Sequence, residues 1–460
     1  MNEHSELLAK ERIGKLLFKL SAPAMVGMLV QAMYNIVDTI FVGRAVGFMG
    51  IAGLTIVFPI QILVMAFAQT IGIGGASIIS RSLGSGDMER AHKTFGNIIS
   101  LVILISAAVM LIGGLYLEPV LRIFGATESI LPYAAEYLSI ILFGTFFFVL
   151  AVACNNVARA EGNAKVAMNT MLISAGLNLV LDPIFIFGLN MGIRGAALAT
   201  VLAQASMSLY LIYYFLSGRS TLILKIENLK IIPNIFRETM AIGASSFTRQ
   251  ASASIMVVII NNSLAFYGGD LTIAVFGVIN RLLMFAFMPM FGIVQGLQPI
   301  IGFNFGAGNP DRVRKAIQMS ILVTTGMSAV AFLSFMFFPE AFIRLFSSEQ
   351  ELIQLGTEAI RIITLALPLV GFQLIGGSIY QALGKPLPAL ILAMSRQVLF
   401  FIPAVLLLPL YFNLQGVWMA FPAADILAFI VTYFLVRGEM RLLKEEMVIN
   451  SKWKQTQNVS

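Results

Sequence analysis

The chain has 460 residues, of which 58% are hydrophobic and only 12% charged; a soluble domain carries about 25% charged residues, so a water-soluble globular fold is excluded and a membrane bundle remains. The net charge of +7 gives no reason to invoke nucleic acid, because basic residues gather in membrane-protein loops on one side. A single cysteine, Cys154, excludes an intramolecular disulfide and a cysteine metal cage, and the two histidines, His4 and His92, lie outside the apolar stretches, which excludes a histidine-built intramembrane site.

The opening MNEHSELLAKER is polar. The apolar stretch after it is too long for a cleaved signal peptide, so it is predicted to stay as the first helix. Stretches long enough to cross a bilayer, roughly 20 residues each, run over 15–42, 52–79, 95–117, 131–157, 165–189 and 196–217. After a polar linker from Gly218 to Thr239 they resume over 239–266, 271–301, 315–338, 352–381, 386–411 and 416–436. The prediction is an all-α membrane protein of twelve transmembrane helices in two pseudo-symmetric six-helix lobes, residues 1–225 and 226–460.

The two halves carry one motif twice. Arg81 to Lys93 reads RSLGSGDMERAHK and Phe303 to Lys315 reads FNFGAGNPDRVRK, so Gly84, Gly86, Arg90 and Lys93 align with Gly306, Gly308, Arg312 and Lys315 at an offset of 222. The offset continues through Glu118 with Glu340, Arg122 with Arg344 and Gly162 with Gly384. Six helices per unit is an even number, so the repeats are parallel and related by an axis along the membrane normal, a transporter signature. These glycine-rich loops lack the Lys-Ser/Thr of a phosphate-binding loop and follow membrane helices, so they read as tight turns.

Of 30 Lys and Arg, 22 fall in the termini and in the loops after segments 2, 4, 6, 8 and 10. Arg44, Arg122, Arg194 and Arg344 fall on the opposite side, and Arg249, Arg281, Arg361 and Arg396 within apolar segments. By the positive-inside rule both termini are expected in the cytoplasm of a plasma (inner) membrane.

An ionisable residue within hydrocarbon is a functional hypothesis by default. Segment 1 lines up Gln31, Asn35 and Asp38 at i, i+4 and i+7 on one face. Segment 5 sets Asn178 one turn before Asp182, followed by Pro183, which removes a backbone hydrogen bond beside the acid. Tyr137 and Asn155 on segment 4 and Thr200 on segment 6 are candidates to complete the pocket. Near the start the offset drifts to 219, as for Gln31 with Gln250, which puts Val257 opposite Asp38, and at 222 Ala404 stands opposite Asp182, so the architecture is duplicated and the acids are not. Two carboxylates with amide and hydroxyl oxygens suit a hard cation such as Na+ at Asp38, Asn178, Asp182 and Thr200, or a shared proton. The plainer reading makes them satisfied polar groups that tie helices together. In the second half, Arg281 or Arg396 is expected to neutralise Asp425.

The stretches PAMVGMLVQAMYNIVDTIFVG (23–43), LNLVLDPIFIFG (177–188), GIRGAA (192–197) and GLQPIIGFNFGAGN (296–309), in this order, resemble the multidrug and toxic compound extrusion (MATE) transporters over essentially the whole chain. The resemblance implies an antiporter, not an enzyme, that exports organic, often cationic or amphiphilic compounds in exchange for inward protons or sodium ions. It implies no cofactor beyond that ion, a lipid bilayer and small-molecule substrates as partners, and a monomer of two lobes in a V. Carried over by motif, Asp38, Asn178, Asp182 and Thr200 match the family's N-lobe cation site, with Gln31, Tyr137 and Asn155 near it; with Asn35, on the face of Gln31, these are the expected substrate-cavity residues. Pro23 matches a position where helix 1 bends on ion binding in some members. Segment 7 and the core of segment 10, Ile362 to Tyr380, lack the acids of NorM-like members, which points to the DinF-like or MepA-like branch. A lipid-linked oligosaccharide flippase of the same superfamily is the alternative, and would need a more cationic cleft.

Overall fold

The fold comes from a computed structural model, which describes residues 3–46 and 48–457; the side chains of residues 3, 4, 35, 36, 38–40, 43, 45, 46, 48 and 447–457 lie outside that description. Lipid offers the backbone no hydrogen-bond partner, so each apolar stretch closes its own bonds as a helix. The first half holds α1 (Ile13–Val46), α2 (Phe48–Ser85), α3 (Met88–Leu115), α4 (Leu131–Ala160), α5 (Ala164–Pro183) and α6 (Gly192–Leu216).

The second half is continuous in places, yet resolves into the same six. Pro233–Gly306 breaks at Gly269, whose φ of 72° suits only glycine, giving α7 (233–268) and α8 (270–306). α9 is Pro310–Phe337. α10 consists of Gln350–Ile363 and Leu367–Leu383, which meet at 53°; the sequence predicts one unbroken span there, and Pro368 in the first turn after the break explains the bend, since it cannot donate to the carbonyl four residues back. The last apolar stretch breaks at Asn413, φ 49°, into α11 (386–412) and α12 (414–457). Twelve transmembrane helices result among the described residues.

The apolar core shows how the lobes meet. One cluster draws on both halves: Leu16, Ile71 and Val157 pack with Ile293, Ile300 and Ile379. A second cluster, around Val42, Val57, Leu138 and Ile193, belongs to the first lobe alone. A third, around Ile260, Ile279, Ile360 and Trp418, belongs to the second lobe alone. The lobes therefore share a core on the side bearing the N-terminus and separate on the other side, which is the outline of a V.

The repeated motif forms the point of that V. A Cβ on Gly84 would lie 1.9 Å from the Phe303 carbonyl oxygen, and one on Gly306 would lie 2.0 Å from the Arg81 carbonyl oxygen. Shifting either contact by 222 residues turns it into the other, so α2 and α8 cross backbone to backbone on the pseudo-twofold axis. Arg81 and Arg90 both reach Glu238 at the start of α7, at 2.9 and 2.5 Å. Arg312, the counterpart of Arg90, donates to the Leu8 and Glu11 carbonyls (3.1 and 2.8 Å) just before α1. Each repeat's arginine thus holds down the entry to the other lobe, a role that goes beyond the tight turn read from the sequence.

Candidate functional site

α1 and α5 both run away from the N-terminal side and touch at Gly27, where a Cβ would meet Met171 Sδ at 2.6 Å. From Gly27 to position 38 is eleven residues, and from Met171 to Asp182 is eleven residues. Eleven residues make about three helical turns and about 16 Å, so positions 38 and 182 come to the same level on the faces where these helices pack. The side chains of Asn35 and Asp38 lie outside the described residues.

On α5 itself, Asn178 and Asp182 are both buried, at 2% and 1% exposure. Asn178 Nδ2 donates to Asp182 Oδ1 over 3.4 Å. Asn178 Oδ1 is buried with no hydrogen-bond partner among the described residues, an arrangement that costs free energy unless something occupies the space beside it. After Pro183 the chain widens into a π-turn, Ile184–Gly188, of the kind that collects at functional sites. Gly195 admits the Phe185 backbone so closely that a Cβ there would lie 2.8 Å from its carbonyl carbon, which seats α6 against the turn.

Depth sorts the other candidates. Asp182 lies six residues before Gly188, Tyr137 six after Leu131, Thr200 eight after Gly192, and position 38 eight before Val46. At about 1.5 Å per residue these four sit about 9 to 12 Å inside the face opposite the N-terminus. Tyr137 and Thr200 are buried. Gln31, two turns below position 38, is half-buried. Asn155 does not join them: it accepts a 3.0 Å hydrogen bond from Thr170 Oγ1, and Thr170 lies twelve residues before Asp182, about 18 Å along α5. The sequence placed Asn155 on the right helix at the wrong depth. Pro23 bends no helix into two, remaining inside α1.

In the second lobe Arg396 meets Asp425, with Nε to Oδ1 at 2.5 Å and Nη2 to Oδ2 at 3.4 Å. Arg396 also stands 5.8 Å from the Phe287 ring centroid, and Gln373 Nε2 donates to the Asp425 carbonyl over 2.8 Å. Arg396 rides on a second π-turn, Ser395–Phe401. Arg281, the other candidate partner, is exposed and takes no part in an ion pair among the described residues.

Sequence reasoning missed a polar pocket between the lobes, lined by Asn156 and Arg159 from α4 and by Gln295, Gln298 and Gln381 from α8 and α10. Arg159 reads as a loop residue in the sequence, yet it lies in the last turn of α4 and is only 8% exposed. The available signal was its pairing with Gln381 at the repeat offset. Among the described residues no three His, Cys, Asp or Glu gather as a metal site, so a cation held near Asp182 would depend on amide, hydroxyl and carbonyl oxygens as well.

The sequence profile of the family MatE matches residues 23–184 and, 222 residues on, 245–406. The chain belongs to the MatE family. As a MatE-family protein it is a multi-pass membrane protein, and its repeat is the family's own unit used twice. It is 30% identical over 433 residues to the multidrug export protein MepA of Staphylococcus haemolyticus (strain JCSC1435), covering 94% of this chain and 95% of that one. A solved structure of the MATE multidrug transporter DinF-BH is 47% identical and superposes with a TM-score of 0.88 over 95% of this chain and 98% of the other. An outward-facing conformation of a multidrug resistance MATE family transporter of the MOP superfamily is 27% identical, with a TM-score of 0.91 over 97% and 99%. These likenesses bear out the resemblance drawn from the motifs, including its MepA-like and DinF-like side.

Proposed function

We propose that the chain is a multidrug efflux antiporter, exporting organic, cationic or amphiphilic compounds in exchange for inward protons or sodium ions. The observation that carries this reading is the buried Asn178–Asp182 pair, set in one lobe only and level with position 38 of α1. The closed side carries both termini and most of the basic loops, so it is assigned to the cytoplasm, and the open side faces out.

A cation entering from outside loads Asp182 and Asp38, which removes their charge from the pocket. Coupling follows if cargo and cation favour different states of that pocket, because such linkage is reciprocal. The driving force is adequate: one charge crossing roughly 150 mV yields about 3.5 kcal/mol, and at about 1.4 kcal/mol per decade that sustains a gradient of a few hundredfold for a neutral solute. The flippase alternative needs a cationic cleft, whereas the four arginines within apolar segments are scattered over different helices, Arg249 on α7, Arg281 on α8, Arg361 on α10 and Arg396 on α11, the last bound to Asp425.

Asp182→Asn and Asp38→Asn, reconstituted in vesicles, test the reading. Each is expected to lower export driven by an imposed pH or sodium gradient at least about tenfold, while leaving the protein folded. Export at the parental rate in both variants would refute it, and comparing the two gradients identifies the ion.

A further inference from the structure

The polar pocket between the lobes lies on the pseudo-twofold axis. Ten of its twelve lining residues fall into five pairs 222 residues apart, among them Ile73 with Gln295, Ala76 with Gln298 and Arg159 with Gln381. Within each of these three pairs at least one member is polar, and Arg159 is the only formal charge in the lining.

That charge is not compensated. Arg159 Nη2 donates to Asn156 Oδ1 at 3.1 Å, and the guanidinium makes no ion pair among the described residues. The neighbouring carboxylate, Glu161, is taken up by Ser220 Oγ and the Thr221 amide. A guanidinium carries five N–H donors, and a buried cation left without a counter-charge is strongly unfavourable. Gln298 and Asn156 add side-chain amides to the same wall, but Gln298 Nε2 already donates to Gln381 Oε1 at 2.9 Å and Asn156 Nδ2 to Gln69 Oε1 and the Val152 carbonyl, which leaves the Arg159 guanidinium as the main open donor. Gln295 Oε1 is buried without a hydrogen-bond partner while its nitrogen faces the thioether of Met28 at 3.4 Å. Turning that amide over gives the pocket another donor, an exchange that the shape of an amide permits. The space takes one small ion or a water or two.

We propose that this pocket binds a small monovalent anion, of the size of chloride, between Arg159 and the glutamine side chains of the other lobe. Asn156 and Arg159 belong to one lobe and Gln295, Gln298 and Gln381 to the other, so the site is complete only while the lobes are joined on the N-terminal side. An anion bound there stabilises that closed state and no other, by mass action. This inference does not depend on which cation drives transport, nor on Asp38 and Asp182.

The test uses the full chain, purified in detergent, with sodium chloride titrated against sodium gluconate at constant ionic strength. The unfolding temperature is expected to rise with chloride and to saturate. Crystals grown in bromide are expected to show one anomalous peak beside Arg159. Arg159→Gln should weaken the chloride response at least about tenfold, and Arg159→Lys, which keeps the charge, should weaken it less. A linear or absent response in the parent, a response unchanged in Arg159→Gln, or bromide crystals without a peak in the pocket would each overturn the proposal. Should Arg159→Gln fail to fold, the bromide peak in the parent decides alone.

Discussion

Glu161 stands just past the end of α4 at 1% exposure, accepting hydrogen bonds from Ser220 Oγ (2.9 and 2.8 Å) and the Thr221 amide (2.6 Å). It thereby ties the first lobe to the start of the inter-lobe linker. Burial pushes its carboxyl up to about 7, against the pull of those hydrogen bonds. The folded state therefore holds a proton that the unfolded chain gives up near 4.5. This contribution to stability is full below about pH 4.5 and is lost as the pH rises through about 7, an effect on the order of 3 kcal/mol. Glu161→Gln should flatten that slope in thermal unfolding between pH 4.5 and 8; an unchanged slope would assign it to another group. At Arg396 the charge pair itself is at stake. Arg396→Met leaves Asp425 buried without its partner and is expected to lower the unfolding temperature, while Arg396→Met with Asp425→Leu should recover most of the loss, as buried pairs replaced by apolar groups do elsewhere.

Among elements, the α1–α5 pair carries the proposed coupling site, and its register rests on the contact of Gly27 with Met171. The obstruction there is the end of a flexible side chain. Gly27→Ala should thus be tolerated, whereas Gly27→Leu forces α1 off α5 and should cut gradient-driven export several-fold, with Met171→Ala restoring it in the double variant; a double variant no better than Gly27→Leu alone would rule out the register. Hydrophobic length was enough to read twelve helices from the sequence, because each span must satisfy its own backbone. The repeat was legible for the same reason: glycines at the α2–α8 crossing leave no room for anything else. Depth was not legible. Asn155 shares a lobe with Asp182 in the sequence and sits at the other end of α5 in space, and Arg159 passes for a loop residue until α8 and α10 close over it. The break within α10 was signalled by Pro368, but a proline alone does not tell a bend from a kink that neighbours absorb.

At the scale of the whole molecule, one closed end and one open end follow from where the shared core stops. The closed end depends on backbone contact at Gly84 and Gly306, where a side chain would collide with a carbonyl that cannot move aside. Gly306→Val is expected to separate α2 from α8 and shift the population toward a state open on the N-terminal side. Spin labels at Ser85 and Ala307 would read this as a lengthened distance relative to the parent; an unchanged distance would mean that other contacts hold the closure.

The reciprocity of those two contacts also bears on assembly. Residues 81–84 meeting 303–306, and the reverse, is the pattern that a C2 homodimer makes when one surface patch binds its own copy. The fused chain holds an interface of that geometry inside one polypeptide, and the linker from Gly218 to Thr239 adds contacts of its own, through Ser220 and Thr221 to Glu161 and through Glu238 to Arg81 and Arg90. Cut within that linker and co-expressed, the two halves should find each other again, as the two copies of a C2 dimer do.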